Sequence, residues 1–359
     1  MKFKIILLVV LLAPAVLLFA DNGEVVQPDD KNIIDFHIHV AGLGYGDSGS
    51  FINEQMRENF RFKFYLKAMG VTLEELEENG DKILFRNISA AIQESRFVSH
   101  GIILAMDGVI NEAGDLDKAQ TQVYVPNRFV HEQTSQYENL LFAASINPYR
   151  ADAISRLEKV HSQGAVLIKW IPSIMYIDPA DQAIRPFYEK LVELDMPLLT
   201  HTGMEKSFAG AKDELADPAR LVLPLSLGVK VIAAHIATTG ESEGQDNFER
   251  IVPMFQKYPN LFADISSLTQ INKRHFMKKA LAAEELQGRL IFGTDWPLQF
   301  FPLVSAWYHL DLISFRDAWN VGKLDNQWDR DVAMKRAMGV PQEVFDLGRD
   351  LFVKQESLR

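Results

Sequence analysis

Short apolar runs recur along the chain at Ile33 to His39, Gly101 to Met106, Leu141 to Ile146, Ala165 to Trp170, Pro197 to His201, Val229 to His235, Leu261 to Ile265 and Leu290 to Asp295. Each has the length of a buried strand. The segments between them are polar with helical spacing, as at Ala151 to His161, Ile184 to Asp195, Asn247 to Lys257 and Phe276 to Leu286. Strand and helix alternating in this way predict a parallel sheet, and eight such units predict its closure into a (β/α)8 barrel, an α/β fold of the TIM type. A doubly wound open sheet ranks second. No GxGxxG follows the first run and no low-complexity linker divides the chain, so one barrel domain is expected over residues 31–359.

Two stretches break the alternation. Residues 41–99 separate the first two runs, and an insertion at that point of a barrel sits over its mouth. Its start, Ala41-Gly42-Leu43-Gly44-Tyr45-Gly46, reads as a connector or a tight turn beside the site. The stretch Phe60-Arg61-Phe62-Lys63-Phe64-Tyr65 reads as core packing rather than a binding surface. At the N-terminus, Lys2 and Lys4 precede an apolar run from Ile5 to Ala20 without a polar face. Residues 1–20 therefore read as a signal peptide or a retained membrane anchor. Leu18 stands where cleavage favours a small residue and the run is short for a span, which leaves both readings open. Either makes the protein exported, periplasmic or anchored on the outer side of the inner membrane.

Composition narrows the chemistry. With 359 residues, 47% hydrophobic and 24% charged, the chain fills one large core better than two small ones. A formal net charge of −11 opposes a nucleic-acid partner, which would need lysine and arginine to displace counterions, and leaves a small-molecule substrate. The chain has no cysteine, so a metal would be held by histidine and carboxylate groups. Nothing in the pattern specifies an oligomeric state.

Ligand-type residues gather at the ends of the runs. In Asp35-Phe36-His37-Ile38-His39 the two histidines stand two apart, on one face of a strand. His201, His235 and Asp295 each close a later run. In a barrel these ends share the C-terminal face, where active sites sit. Lys169, inside Val166-Leu167-Ile168-Lys169-Trp170, would bury an ammonium ion, which is costly unless it is paired, neutralised or modified. A neutral amine there can take up carbon dioxide to form a metal-bridging carbamate; alternatively, Lys169 reaches the rim and pairs with an acid.

Together these residues resemble the amidohydrolase superfamily, in the TIM-barrel branch known as amidohydrolase family 2, over Ile33 to Leu298. The resemblance matches His37 and His39 to the HxH of the first strand, Lys169 to the fourth-strand lysine, His201 and His235 to the fifth- and sixth-strand histidines, and Asp295 to the eighth-strand aspartate. It implies one or two divalent metals, most plausibly zinc given nitrogen and oxygen ligands, held by His37, His39, Lys169, His201, His235 and Asp295. Asp295 would then move the proton of the attacking water, and His235 would bind a second metal or stabilise the oxyanion. Asp35 or Asp264 would orient ring nitrogens.

The expected reaction is hydrolysis of an amide, ester or lactone. Non-oxidative decarboxylation or lyase chemistry in the same barrel is the alternative, and a non-catalytic metal- or solute-binding role ranks below both. Substrate contacts are expected from the loops after the strands, at Asp107, Asn147, Arg150, Ser173, Tyr176 and Ser266, although turn formation or helix capping accounts for these residues as well. His100, His131, His161, His275 and His309 fall outside the strand ends and are assigned no ligand role.

Overall fold

In the computed structural model, which describes residues 31–59, 61–353 and 358, every apolar run contributes a strand. These are β1 (Ile33–His39), β2 (Val98–Leu104), β3 (Leu140–Ala143), β4 (Ile168–Trp170), β5 (Leu198–His201), β6 (Val231–Ala234), β7 (Leu261–Asp264) and β8 (Leu290–Ile291). All neighbours pair in parallel, from β1 to β3 and from β4 to β8. Two seams close the ring. Ala144 bridges to Ile168 between β3 and β4, and Ile38 bridges to Trp296 beyond β8, where Asp295 N also donates to His37 O at 2.9 Å. The molecule is thus a (β/α)8 barrel. The signal or anchor reading of residues 1–20 and the reading of Phe60 lie outside the described residues. No helix among the described residues is long and apolar enough to cross a membrane.

The barrel interior has a dry floor and a polar top, and the change occurs within single strands. Ile34, Phe36, Ile102, Leu104, Leu141, Leu167, Leu199, Ile232 and Ile291 build an apolar layer, sealed by Phe352 and Val353 at the C-terminal end. The ring of Phe352 meets those of Phe36 and Phe262 edge-on, with centroids 6.1 and 5.1 Å apart. The helix carrying Phe352, Gln342–Phe352, lies so close that a side chain at Gly348 would strike the Phe36 ring. One interior position further along, with side chains alternating, Leu167 is followed by Lys169, Leu199 by His201 and Phe262 by Asp264.

β1 achieves the same change by a different device. Asp35 pairs with Gly101 and Ile38 with Ile103, so three steps along β1 match two along β2. This bulge shifts the alternation. Ile34 and Phe36 join the floor, and past the shift of face within the bulge His37 and His39 reach the site above.

Two of the expected helices are interrupted. Asn247 to Lys257 divides into Asn247–Ile251 and Met254–Lys257, because Pro253 between them has no N–H to continue the ladder. Phe276 to Leu286 divides into Arg274–Ala282 and a 3-10 turn, Glu284–Leu286.

The insertion covers the mouth as expected. Its glycine-rich start is a tight turn, with Gly44 and Gly46 at φ 93° and 68°. The Asp81 carboxylate holds that turn by accepting from Leu43 N at 3.1 Å, Gly44 N at 3.0 Å and Ser48 Oγ at 2.5 Å. The aromatic stretch folds into the helix Arg61–Ala68 and divides its roles. Phe62 packs against the core, Phe64 is half exposed, and Tyr65 stands on the wall of the cavity over the barrel, where core packing alone was expected.

Candidate active site

His37, His39, Lys169, His201, His235 and Asp295 meet at the C-terminal mouth. His37 Nε2 lies 3.0 Å from His39 Nε2, 3.0 Å from Lys169 Nζ and 3.6 Å from Asp295 Oδ1. His39 Nε2 is also 3.6 Å from Asp295 Oδ1. The His235 ring stacks on His37 with centroids 5.0 Å apart, and His201 meets His235 at 5.3 Å. Ligand atoms of His37, His235 and Asp295 all fall within 4.8 Å of one another, which is compact enough to hold a metal ion. His39 Nε2 is closer still to His37 and Asp295, at 3.0 and 3.6 Å, and His39 Nδ1 and His201 Nε2 are buried ring nitrogens without a partner.

Other side chains hold the rings in place. Asp264 Oδ2 takes His37 Nδ1 at 2.7 Å, Glu205 Oε2 stands 3.4 Å from His201 Nδ1, and Ser266 Oγ lies 2.7 Å from His235 Nδ1. Such partners select the tautomer and leave the opposite nitrogen for a metal. Asp35 does not share this role. It accepts from the backbone amides of His37 and Thr294, at 3.0 and 2.9 Å, and from Thr294 Oγ1 and Trp328 Nε1, at 2.6 and 2.8 Å. It therefore ties the end of β1 to the end of β8 rather than orienting a ring.

Backbone conformation contributes as well. His235 and Asp295 have φ values of 58° and 65°, in the left-handed region that costs non-glycine residues energy and recurs at functional sites. Both residues turn sharply out of their strands, which brings their side chains over the mouth.

Burial sets the charges. It holds His37, His39 and His235 well below the ordinary imidazole range and lowers His201. All four rings are therefore neutral at pH 7, with lone pairs available. Burial also brings Lys169 down to about 8 and pushes Asp295 up to about 8. Neutral imidazoles, a carboxyl group that a cation would deprotonate and the unpartnered His201 Nε2 in one buried cluster fit the donor set of a divalent cation site.

Above the cluster lies an open cavity whose lining includes His39, His201, His235 and Asp295. The residues expected to touch substrate do not line it. Arg150 forms a two-pronged pair with Asp107 at 2.7 and 2.5 Å, and Asn147 N donates to Asp107 Oδ2 at 2.8 Å. The Asn147 amide donates to Gly108 O and Met175 O. These three side chains are spent on loop architecture. Ser173 is fully buried, Tyr176 sits under Lys212 Nζ, 3.6 Å from its ring centre, and Ser266 supports His37 and His235 from below.

Conversely, Glu205, Gln270 and Lys273 line the cavity without having been singled out in the sequence. They belong to loops rather than strand ends. The one available signal was the polar run after β7, Ser266-Ser267-Leu268-Thr269-Gln270.

The family model described as Amidohydrolase matches residues 34–320. No curated protein matches the chain. Among solved structures, an uncharacterised TIM-barrel protein from Bordetella bronchiseptica is similar at 17% identity and a TM-score of 0.53, covering 88% of this chain and 98% of that one. A putative 2-pyrone-4,6-dicarboxylic acid hydrolase from Pseudomonas putida is similar at 15% identity and a TM-score of 0.50, covering 89% and 97%. The apo IDCase of Metarhizium anisopliae is similar at 10% identity and a TM-score of 0.51, covering 90% and 98%. At these identities the structures speak to the fold.

Proposed function

The chain belongs to the amidohydrolase family, and on that footing we propose that it is an exported, metal-dependent hydrolase cleaving an amide, ester or lactone bond of a small molecule. The observation that carries this reading is the convergence of four neutral histidines, Lys169 and Asp295 at one mouth of the barrel. His37, His235 and Asp295 would hold a cation, zinc by the nitrogen and oxygen character of the donors, with His39 and His201 completing the set. Such an ion supplies Lewis acidity and makes water acidic enough to attack at neutral pH.

The side chains divide the remaining work. Asp295 accepts the proton of the attacking water and returns it to the departing nitrogen or oxygen, so that the carbon–heteroatom bond breaks to a carboxylic acid and an amine or alcohol. His235, oriented at Nδ1 by Ser266, would turn Nε2 to the cation, so that the charge developing on the carbonyl oxygen is stabilised by the ion rather than the ring. The roof formed by Met56, Tyr65 and Met69 limits bulk water.

A second reading, non-oxidative decarboxylation, draws on the direct contact between Lys169 Nζ and His37 Nε2 at 3.0 Å. If Lys169 keeps its amine there, hydrogen-bonded to His37, the site would suit a single ion better than a bridged pair. Metal content per chain, measured without chelators and with bicarbonate present, separates the cases. About two equivalents falling in Lys169→Ala supports a carbamate-bridged hydrolase, and about one in both proteins supports a mononuclear site. Protein that holds no metal in either form overturns the proposal. Release of carbon dioxide from an acid panel, against hydrolysis of an ester and amide panel, then decides the reaction.

A further inference from the structure

Two side chains after β7, Gln270 and Lys273, keep N–H donors to spare. Gln270, 5% exposed, lines the cavity, and its Nε2 has no partner. Lys273, 6% exposed, lines it too. Its Nζ donates to Ser267 Oγ at 2.5 Å, and no carboxylate forms an ion pair with it among the described residues. A buried ammonium group has three N–H donors, and leaving two unmatched is costly. The loop that carries both residues is firmly held. Gln270 N donates to Ser267 O at 3.0 Å, Lys273 N to Gln270 O at 2.9 Å and Ile271 N to Leu303 O at 3.0 Å.

Asp295, Glu205 and Asp264 favour the Lys273 charge from beyond ion-pair distance, and each has nearer partners. Glu205 accepts from Ser207 N at 2.6 Å and faces His201, while Asp295 faces His37 and His39. Much of the remaining wall is apolar, with Met56, Met69, Met106, Met204 and Phe208. Methionine side chains adapt to flat and branched groups and favour aromatic rings.

We propose that the cavity selects an apolar or aromatic carboxylate, whose carboxylate group is bound by Lys273 Nζ and Gln270 Nε2 while its body lies against the methionine wall. This rests on reading the cavity as the substrate site of the hydrolase, and it names the substrate class. Ser267 Oγ, shared between Lys273 Nζ at 2.5 Å and His235 Nδ1 at 3.2 Å, links the carboxylate end to the reacting end. A substrate anchored at Lys273 would present its scissile carbonyl to His235 and Asp295.

Titration calorimetry on the full chain tests this with benzoate, phenylacetate and phenylpropanoate, each against its own carboxamide, before and after chelation. At least one acid should bind about tenfold more tightly than its amide, the effect of a charge-assisted hydrogen-bonded pair. That preference should survive chelation and fall to near parity in Lys273→Met. Gln270→Leu should weaken the acids severalfold and leave the amides less affected, so the proposal stays testable if Lys273→Met does not fold by circular dichroism. Equal affinity of acid and amide, binding of none of the acids, or a preference untouched by Lys273→Met would overturn it. A preference abolished by chelation instead would place the carboxylate on the metal and also overturn it. Protein that holds no metal and hydrolyses nothing, yet still prefers acids through Lys273, would separate the failure of the hydrolase reading from this one.

Discussion

At the scale of single residues the site works by desolvation. Asp295 is buried beside His37 and His39 and pushed up to about 8, so without a metal it is largely protonated at pH 7, and a cation bound beside it would displace that proton and leave a carboxylate able to accept one from water. Asp295→Asn keeps the size and removes the acceptor. It should lower kcat on any substrate identified by the ester and amide panel by about two to four orders of magnitude, the usual contribution of a general base, as read from initial rates at saturating substrate. The buried histidines make a separate prediction about stability. Their folded values lie below the ordinary 6.5, so the unfolded chain binds more protons as pH falls through 6.5, and their contribution to stability is lost in that direction. Asp35, Asp295 and Asp331 are raised by burial and act in the opposite sense, so the informative quantity is a difference between proteins. In chelated protein, His235→Gln should flatten the fall of unfolding free energy between pH 6.5 and 5 by about 1 kcal/mol per pH unit, approaching about 1.4 at the acid end. Urea midpoints across that range measure it, and an unchanged slope would mean that His235 is not held neutral.

At the scale of elements the important event is the change from apolar to polar within each strand. Leu167 to Lys169 and Leu199 to His201 could be read directly from the sequence, because side chains alternate along a strand and a ligand at its end shares a face with the residue two before it. The barrel and its polar mouth were legible for that reason. The bulge at Asp35 to Ile38 was not, since it depends on pairing with β2, and no local pattern displays it. The salt bridge between Asp107 and Arg150 escaped for the same reason: adjacent strands β2 and β3 bring together residues 43 apart. Glu205, Gln270 and Lys273 sit in loops, where a charged residue usually means solvent. The helix Gln327–Ala337, which precedes Gln342–Phe352, is another support invisible to a linear reading. Its Lys335 Nζ donates to Asp331 Oδ2 at 2.6 Å and to Gly293 O at 2.7 Å, just before Asp295. Lys335→Met leaves Asp331 as an uncompensated buried charge and should cost about 3–5 kcal/mol, the range for breaking a buried pair. The companion Lys335→Met with Asp331→Leu should recover much of that loss, and denaturant unfolding of both proteins checks it.

At the scale of the whole molecule, folding and the site are one problem, because the polar mouth is made by all parts of the chain. Asp35 at the start of the barrel is bonded to Thr294 at its end and to Trp328 beyond it, and β1 closes on residues 292–296. The floor depends on Phe352, so the ring is fastened at both ends by segments that lie outside the strands. Above that floor, four desolvated imidazoles, two of them with unpartnered nitrogens, and a carboxylate pushed up by burial are arrangements that favour unfolding unless something offsets them. A cation that binds only the folded form offsets them by mass action. At a free concentration about one hundred times its dissociation constant, the gain is about 2.7 kcal/mol. Chelation should therefore lower Tm by several degrees, and returning zinc should restore it in proportion to the logarithm of its concentration. Scanning calorimetry on the full chain follows both steps. The double variant His37→Ala with His235→Ala should have a Tm that no longer responds to zinc. A melting point indifferent to chelator in the native protein would show that the cluster holds no metal, and the energetic argument for a metal centre would fall with it.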